Sequence, residues 1–330
     1  MTKKIFCINL LVIFLLLITA CGGRAKKPGE DNAREQGPKI PEVFREIEAN
    51  ILKTMYDIDS IPGIGAQLMK AEKEDRDIDQ EEVEKEKEKN QDKEDSSDEN
   101  EEIKLGSDKA EEEEEREQEI KMSIDKEQIL LLLLKEEDIT GSTSRYSQIP
   151  DSIDKLWFLV ENRISDLHRK WNILEADLQD VDSSENLMED FEEKLFQASR
   201  AVEARNITNS LFYLNSLTDN LASFCKPFRS LVPSQVYKMK YHIRQAILYA
   251  HVEEYQKSRQ DINKLKELGG KIRGILPGQE GIHEMDKLDL SIEDLEGELA
   301  ANNFDLIQTK GAIVMKNIIL IENIFQRSSQ

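Results

Sequence analysis

The stretch SIDKLWFLVENRISDLHRKWNILEADLQDVD, Ser152 to Asp182, decides the fold. Its apolar residues are Ile153, Trp157, Val160, Ile164, Leu167, Trp171, Leu174, Leu178 and Val181, in alternating steps of four and three. That spacing lays them on one face of a single helix over roughly four heptads. Two architectures use such a seam: a coiled-coil dimer and the long core helix of an antiparallel bundle. Trp157 and Trp171 are bulky for a two-stranded coil, so the bundle is the expected reading. His168, beside the seam with Arg169 and Lys170, reads as surface.

Amphipathic segments continue downstream. A helix is expected from Asp182-Ser183-Ser184 to about Arg205, with Leu187, Phe191, Leu195, Ala198 and Val202 on one face. Another covers 207–224, stopped by Lys226-Pro227, and a third opens at Pro233. Tyr255 to Leu268 is expected to end at Gly269-Gly270, followed by a loop carrying Gly274, Pro277, Gly278 and Gly281. Segments 292–300 and 304–325 close the chain. There is weak self-similarity at an offset of about 48 residues. Ile207, Ser210, Leu214, Asn215 and Leu217 align with Tyr255, Ser258, Ile262, Asn263 and Leu265, and Gln197-Ala198 aligns with Gln245-Ala246. Phe304, Ile307 and Val314 continue the pattern. In architecture only, this resembles tetratricopeptide-like helical hairpins; their Trp, Gly and Pro pattern is absent. The expected fold is all-α over 123–330, a helical bundle or stacked helical hairpins, preceded by a disordered acidic linker.

Upstream of the seam, Ile129–Leu134 is six apolar residues in a row, too short to span a bilayer. It reads as a buried short helix, with Ser123 as a candidate cap and a strand as the rival reading. Residues 136–147 read as loop. Residues 71–122 hold 25 acidic and 10 basic side chains, so −15 of the chain's formal −22 lies there. With almost nothing apolar to bury, this segment is expected to be a disordered acidic linker; pairs such as Glu81 with Lys85 would support solvated helix. Asp75, Asp77, Asp79 and Glu86 have the oxygen spacing of a calcium loop. Gln80 stands where that turn wants glycine, so solvated charge is the preferred reading. Residues 41–58 form a short amphipathic helix in this reading, with Phe44, Ile47, Ile51, Leu52, Met55 and Ile58 on its face. Ile61-Pro62-Gly63-Ile64-Gly65 is expected to break it.

At the start of the chain, Lys3 and Lys4 precede an apolar run, Ile8 to Leu17, interrupted only by Asn9. Leu17-Ile18-Thr19-Ala20-Cys21 follows. This resembles the lipobox of bacterial lipoproteins, with Ile18, Thr19 and Ala20 before the modified cysteine. The resemblance implies a signal peptide over 1–20, acylation of Cys21 (diacylglyceryl and palmitate-type chains), and anchorage to the cell membrane on its extracytoplasmic face. Each buried methylene contributes about 0.8 kcal/mol, so two or three chains hold firmly where one does not. Residues 21–40 then read as a polar tether with a weakly basic start at Arg24, Lys26 and Lys27.

A net charge of −22 repels nucleic acid, which is therefore not an expected partner. Cys7 leaves with the signal and Cys21 takes lipid, so Cys225 stands alone and no disulfide framework is expected. No nucleophile elbow, phosphate loop or His-Glu-x-x-His helix is present, and no enzyme activity or cofactor is expected. His251 with Glu254, and Glu280 with His283, have the spacing of paired metal ligands. Glu280 and His283 read as lying in a glycine-rich loop, and no metal site is expected. Alternating strands are missing, which argues against an α/β solute receptor. The expected function is protein–protein interaction, as an adaptor at the cell envelope with an envelope protein as partner. Tyr213, Tyr249 and Tyr255 are candidate contacts. The alternatives are a metal- or small-ligand-binding helical bundle and a structural spacer.

Overall fold

Ser152 lies in extended backbone and its hydroxyl accepts from the Lys155 amide at 3.3 Å, so the seam helix begins where the sequence places it. The structure, a computed structural model, describes residues 38–91, 128–137, 152–181 and 183–328, with backbone alone over 71–91. Among the described residues there are nine helices: α1 (Glu42–Gln91), α2 (Leu131–Glu136), α3 (Ile153–Gln179), α4 (Glu185–Glu203), α5 (Ile207–Phe224), α6 (Ser234–His251), α7 (Tyr255–Arg273), α8 (Gly278–Ala301) and α9 (Phe304–Ser328). The expected all-α class is the observed one. Extended pairing among the described residues is confined to an isolated bridge between Lys39 and Arg229.

The seam is a bundle core. Trp157, Val160, Ile164, Leu167, Trp171, Leu174 and Leu178 are buried, and Ile153 and Val181 pack partly buried on the same core. α1 and α4 cover α3, so the face that a coiled-coil dimer needs is already occupied within the chain. Trp171 stacks on Phe191 with ring centroids 4.2 Å apart, and Phe224 closes the cluster at 5.6 Å. The Trp171 indole N–H donates to Glu192 Oε1 at 3.2 Å. Large rings fit here because they fill space between three helices rather than two.

The helices close into two rings. α1 packs on α3, α3 on α4, α4 on α5 and α5 back on α1. In the same way α6 packs on α7, α7 on α8, α8 on α9 and α9 back on α6. These are two four-helix bundles, joined where α5 meets α6 and where α2 lies against both α9 and α1.

Within them the hairpins α4–α5, α6–α7 and α8–α9 turn alike. Arg205, Glu253 and Asn302 all adopt left-handed backbone, with φ of 52°, 60° and 55°. The amide one residue on bonds back five residues in each: Asn206 to Ala201, Glu254 to Tyr249 and Asn303 to Glu298. That bond satisfies a carbonyl the ending helix would leave bare. Asparagine tolerates the left-handed region; glutamate does not. Glu253→Gly is therefore expected to raise stability by about 1 kcal/mol, read from urea denaturation. Glu253→Ala, which keeps a Cβ, should give no such gain.

Three helices run further than their sequences indicate. The helix expected over 41–58 continues through Pro62 to Gln91. Pro62 removes one ladder bond, but Ile58 and Ile61 are buried on either side of that turn and hold the helix in place. Gly65 is not a breaker; it lets Ile153 of α3 approach, with Cδ1 3.1 Å from where a Cβ would stand. α7 likewise runs through Gly269-Gly270, and Gly269 meets Met285 and Leu288 of α8 at contact distance. α8 begins at Gly278, so Glu280 and His283 lie on a helix and not in a loop. In each case tertiary packing outweighs a local propensity of about 1–3 kcal/mol.

The expected linker over 71–122 is helical backbone up to Gln91, and 92–122 lies outside the described residues. No helix among the described residues is long and apolar enough to cross a membrane.

Candidate functional site

Polar chemistry concentrates at the junction of the two bundles. Arg244 of α6 is the centre of a closed network. Its Nη1 donates to both oxygens of Glu137, just after α2, at 2.7 Å each. Nε donates to Asn215 Oδ1 at 2.8 Å and Nη2 to Thr218 Oγ1 at 3.0 Å, both on α5. Asn215 Nδ2 in turn donates to Gln245 Oε1 at 2.9 Å. The side chains of Arg244 and Glu137 are 3% and 2% exposed, so the pair is fully desolvated and stands because every polar atom is matched.

α2 is held from both sides. Its first amides need an acceptor, and Leu130 at the cap position supplies none. Asp59 of α1 does so from across the interface: Oδ1 accepts from the Ile129 amide at 2.8 Å and Oδ2 from Leu130 at 2.7 Å, with Leu131 as a third donor. Burial pushes the Asp59 carboxyl up to about 6, against the lowering effect of those three amides. Gln308 of α9 donates its Nε2 to the carbonyls of Gln128 and Ile129. The apolar run itself is buried at Ile129, Leu130, Leu133 and Leu134. It is the short buried helix expected; its cap is Asp59, while Ser123 lies outside the described residues.

Beside this junction opens a cleft of about 960 Å³, bounded by the start of α1, the segment between α5 and α6, the start of α6 and the end of α9. The residues just before α1 are stitched to its wall, since the Arg229 amide donates to the Pro38 carbonyl at 2.8 Å. Its lining includes the carboxylates Glu48 and Glu322, with Lys240 next to them. Lys240 binds Glu322 at 2.5 Å, and Glu48 faces the same ammonium. Burial raises the Glu48 carboxyl, and Glu322 and Glu137 add to this while Lys240 opposes it. Burial works against the Lys240 charge, but Glu322, Glu137 and Glu48 outweigh it and hold the ammonium above its ordinary value. Burial, with Glu48 and Glu322 nearby, also pushes the Tyr237 phenol well up, so it stays protonated.

The other candidate residues do not converge. His251 stacks on Phe304 at 5.4 Å, and Glu254 pairs with Lys257 instead. Glu280 pairs with Arg327 at 3.1 Å, and His283 is exposed on α8. No group of three or more potential metal ligands occurs among the described residues. His168 is exposed, as expected, and shares a 2.9 Å hydrogen bond with Ser199.

Tyr213, Tyr249 and Tyr255 are half-buried in the hairpins. Tyr249 packs against Phe212 at 5.3 Å, and core packing accounts for the other two. Cys225 is buried; its thiol donates to the Ala222 carbonyl and is pushed up to about 11 by burial, with Glu48 adding to it. Such a thiol is a poor nucleophile. Cys21, Asp75, Asp77, Asp79 and Glu86 lie outside the described side chains.

Sequence reading missed Arg244, Glu137, Asp59 and Glu48. The available signal was charge on otherwise apolar helical faces. Arg244 stands between Ile243 and Ile247, and Asp59 follows Ile58. Comparison with protein-family models, curated proteins and solved structures finds no match.

Proposed function

We propose that the protein is a lipid-anchored adaptor on the extracytoplasmic face of the cell membrane, acting by binding and not by catalysis. The cleft carries this reading. It is open, charged and built at the junction of two bundles, and the segment leading from Cys21 is stitched to its rim through Pro38 and Arg229. Sixteen residues lie between Cys21 and Pro38. A chain of that length reaches at most about 60 Å, so an anchor at Cys21 would keep the cleft within that distance of the membrane surface. Binding sites at the junction of rigid bodies commonly take a partner or ligand. The inert Cys225 thiol agrees with a role other than nucleophilic catalysis.

The test is crosslinking in living cells with the natively anchored protein, followed by mass spectrometry of what joins 123–330. One recurrent envelope partner, lost when cleft residues are changed, supports the adaptor. Recovery of self-crosslinks only, or of none, overturns it. The anchor is tested separately: Cys21→Ala is expected to move the protein from the membrane fraction to the soluble fraction and to abolish acyl labelling. Retention of Cys21→Ala in the membrane would remove the lipid from the account.

A further inference from the structure

Charge is spread unevenly along the molecule, and the direction of α1 sets the axis. Glu46 of α1 pairs with Lys170 of α3 at 3.1 Å, Asn50 Nδ2 donates to Asp166 Oδ2 at 3.1 Å, and Gly65 lies against Ile153 at the start of α3. The two helices are therefore antiparallel, and Pro38, just before α1, sits at the end where α3 finishes. Past Gly65 the α1 backbone runs on to Gln91, beyond the start of α3. At about 1.5 Å per residue this adds roughly 40 Å on the side away from Pro38. Residues 71–91 hold ten acidic and five basic side chains, so the segment carried away from Pro38 has a net charge of −5.

Around Pro38 the balance is reversed. Lys39, Arg45 and Arg229 are exposed and line the cleft, and Lys226 is exposed three residues before Arg229. None of these four side chains forms an ion pair or a hydrogen bond among the described residues. Of the acids beside them, Glu46 is engaged by Lys170, and Glu48 and Glu322 are half-buried next to Lys240. Glu42 stays exposed among the cations, which leaves them in excess. Asp180 and Glu185, in the turn between α3 and α4, lie at the same end, so the cations mark one side of it and not the whole. The loop between α5 and α6 adds an apolar tip. Phe228 and Val232 are buried and Ser230 Oγ donates to the Val232 carbonyl at 2.7 Å, which fixes the loop. Between them Leu231 is 50% exposed, and Pro227 is exposed as well.

We infer that this patch seats on an anionic lipid surface, with Leu231 entering the interface and Lys39, Arg45, Lys226 and Arg229 against the headgroups. The inference rests on the lipid-anchored reading and adds which face of the protein the membrane meets. The occupant follows from where the chain leads: Pro38 is bonded to Arg229 inside the patch, and sixteen residues lie between it and Cys21. An anchor alone holds the protein at the membrane in any orientation. Cations near the anchor and acids at the far end select one, because an anionic leaflet attracts the first and repels the second. A leucine at the tip buries apolar area at the headgroup boundary. The protein then stands with α1 pointing away from the membrane, and the cleft, which shares Lys39, Arg45, Arg229 and Leu231 with the patch, opens beside the headgroups.

The experiment is quenching of a fluorophore on the full acylated chain, held on vesicles of phosphatidylcholine alone or mixed with phosphatidylglycerol. Leu231→Cys places the label in the patch. Val252→Cys, 38% exposed at the far end of α6, is the control. Cys225 is buried and Cys21 carries lipid in the acylated chain, so the introduced thiol takes the label. A neutral water-soluble quencher should reach position 231 at least about fivefold less well on the mixed vesicles than on phosphatidylcholine, and position 252 equally on both. Arg45→Gln with Arg229→Gln, both exposed and without a partner to lose, should weaken the seating about fivefold per cation, and concentrated salt should abolish it. Equal access at 231 on the two vesicles, or equal protection at 231 and 252, overturns the inference and leaves the anchor intact. A chain that fails to float with phosphatidylcholine vesicles, with Cys21 free to react, removes the anchor and this orientation together.

Discussion

Replacing Arg244 by methionine is expected to lower the unfolding free energy by about 3–5 kcal/mol, because the change strands a buried charge. Glu137 would keep its carboxylate at 2% exposure with no hydrogen-bonded cation, and Asn215 Oδ1 and Thr218 Oγ1 would each lose a donor. The loss lies in the orphaned partners more than in the ion pair itself. A second change separates the two. With Glu137→Leu added, the buried charge disappears and most of the loss should return, since a well-packed apolar pair often matches a buried ion pair. Urea denaturation of the wild type, the single variant and the double variant measures both steps. A loss below about 1 kcal/mol for Arg244→Met alone would mean that water reaches Glu137 and that the network does not join the bundles.

Asp59→Ala is the second large effect. Three peptide amides, of Ile129, Leu130 and Leu131, would lose their acceptor inside the protein. At about 1–3 kcal/mol for each unmatched buried donor, the cost is at least about 3 kcal/mol. It should release α2 from the groove between α1 and α9, visible as faster amide exchange over 129–136.

The effect depends on pH, with a definite sign. The Asp59 carboxyl titrates near 6 in the folded protein and near 3.8 when unfolded. Between those values the folded state holds the proton and the unfolded state does not. Its stabilising contribution is therefore complete below about 4 and is lost as pH rises through 6. The shift of about 2 units corresponds to a loss of about 3 kcal/mol. Asp59→Ala lacks this dependence, so the gap between variant and wild type should be widest at and below about pH 4 and narrow toward pH 7. A gap that widens as pH rises would show that the carboxylate, not the acid, is the form the fold prefers.

Both predictions rest on residues that periodicity could not find. The seam from Ile153 to Val181 was legible because a 3.6-residue repeat turns directly into a buried face. The left-handed turn residues Arg205, Glu253 and Asn302 lie 48 and 49 residues apart, a spacing that helical periodicity does not by itself reveal. Residues that usually end helices misled at Pro62 and at Gly269-Gly270. There a local cost is offset by packing against other helices, which a window of one sequence segment does not contain. The same holds for the cleft. Glu48, Arg229 and Glu322 come from three distant segments, and nothing in any one of them marks a site.

The sequence by itself determined the helical class, the positions of most helices and the seam. Each follows from local spacing or capping. Only the tertiary structure decided that eight of the helices close into two rings, that Asp59 caps a helix 70 residues away, and that Arg244 joins Glu137 to Asn215 and Thr218. The reason is physical: hydrophobic burial is read along the chain with a short period, whereas the pairing of buried charges is set by proximity in space, which the order of residues does not contain.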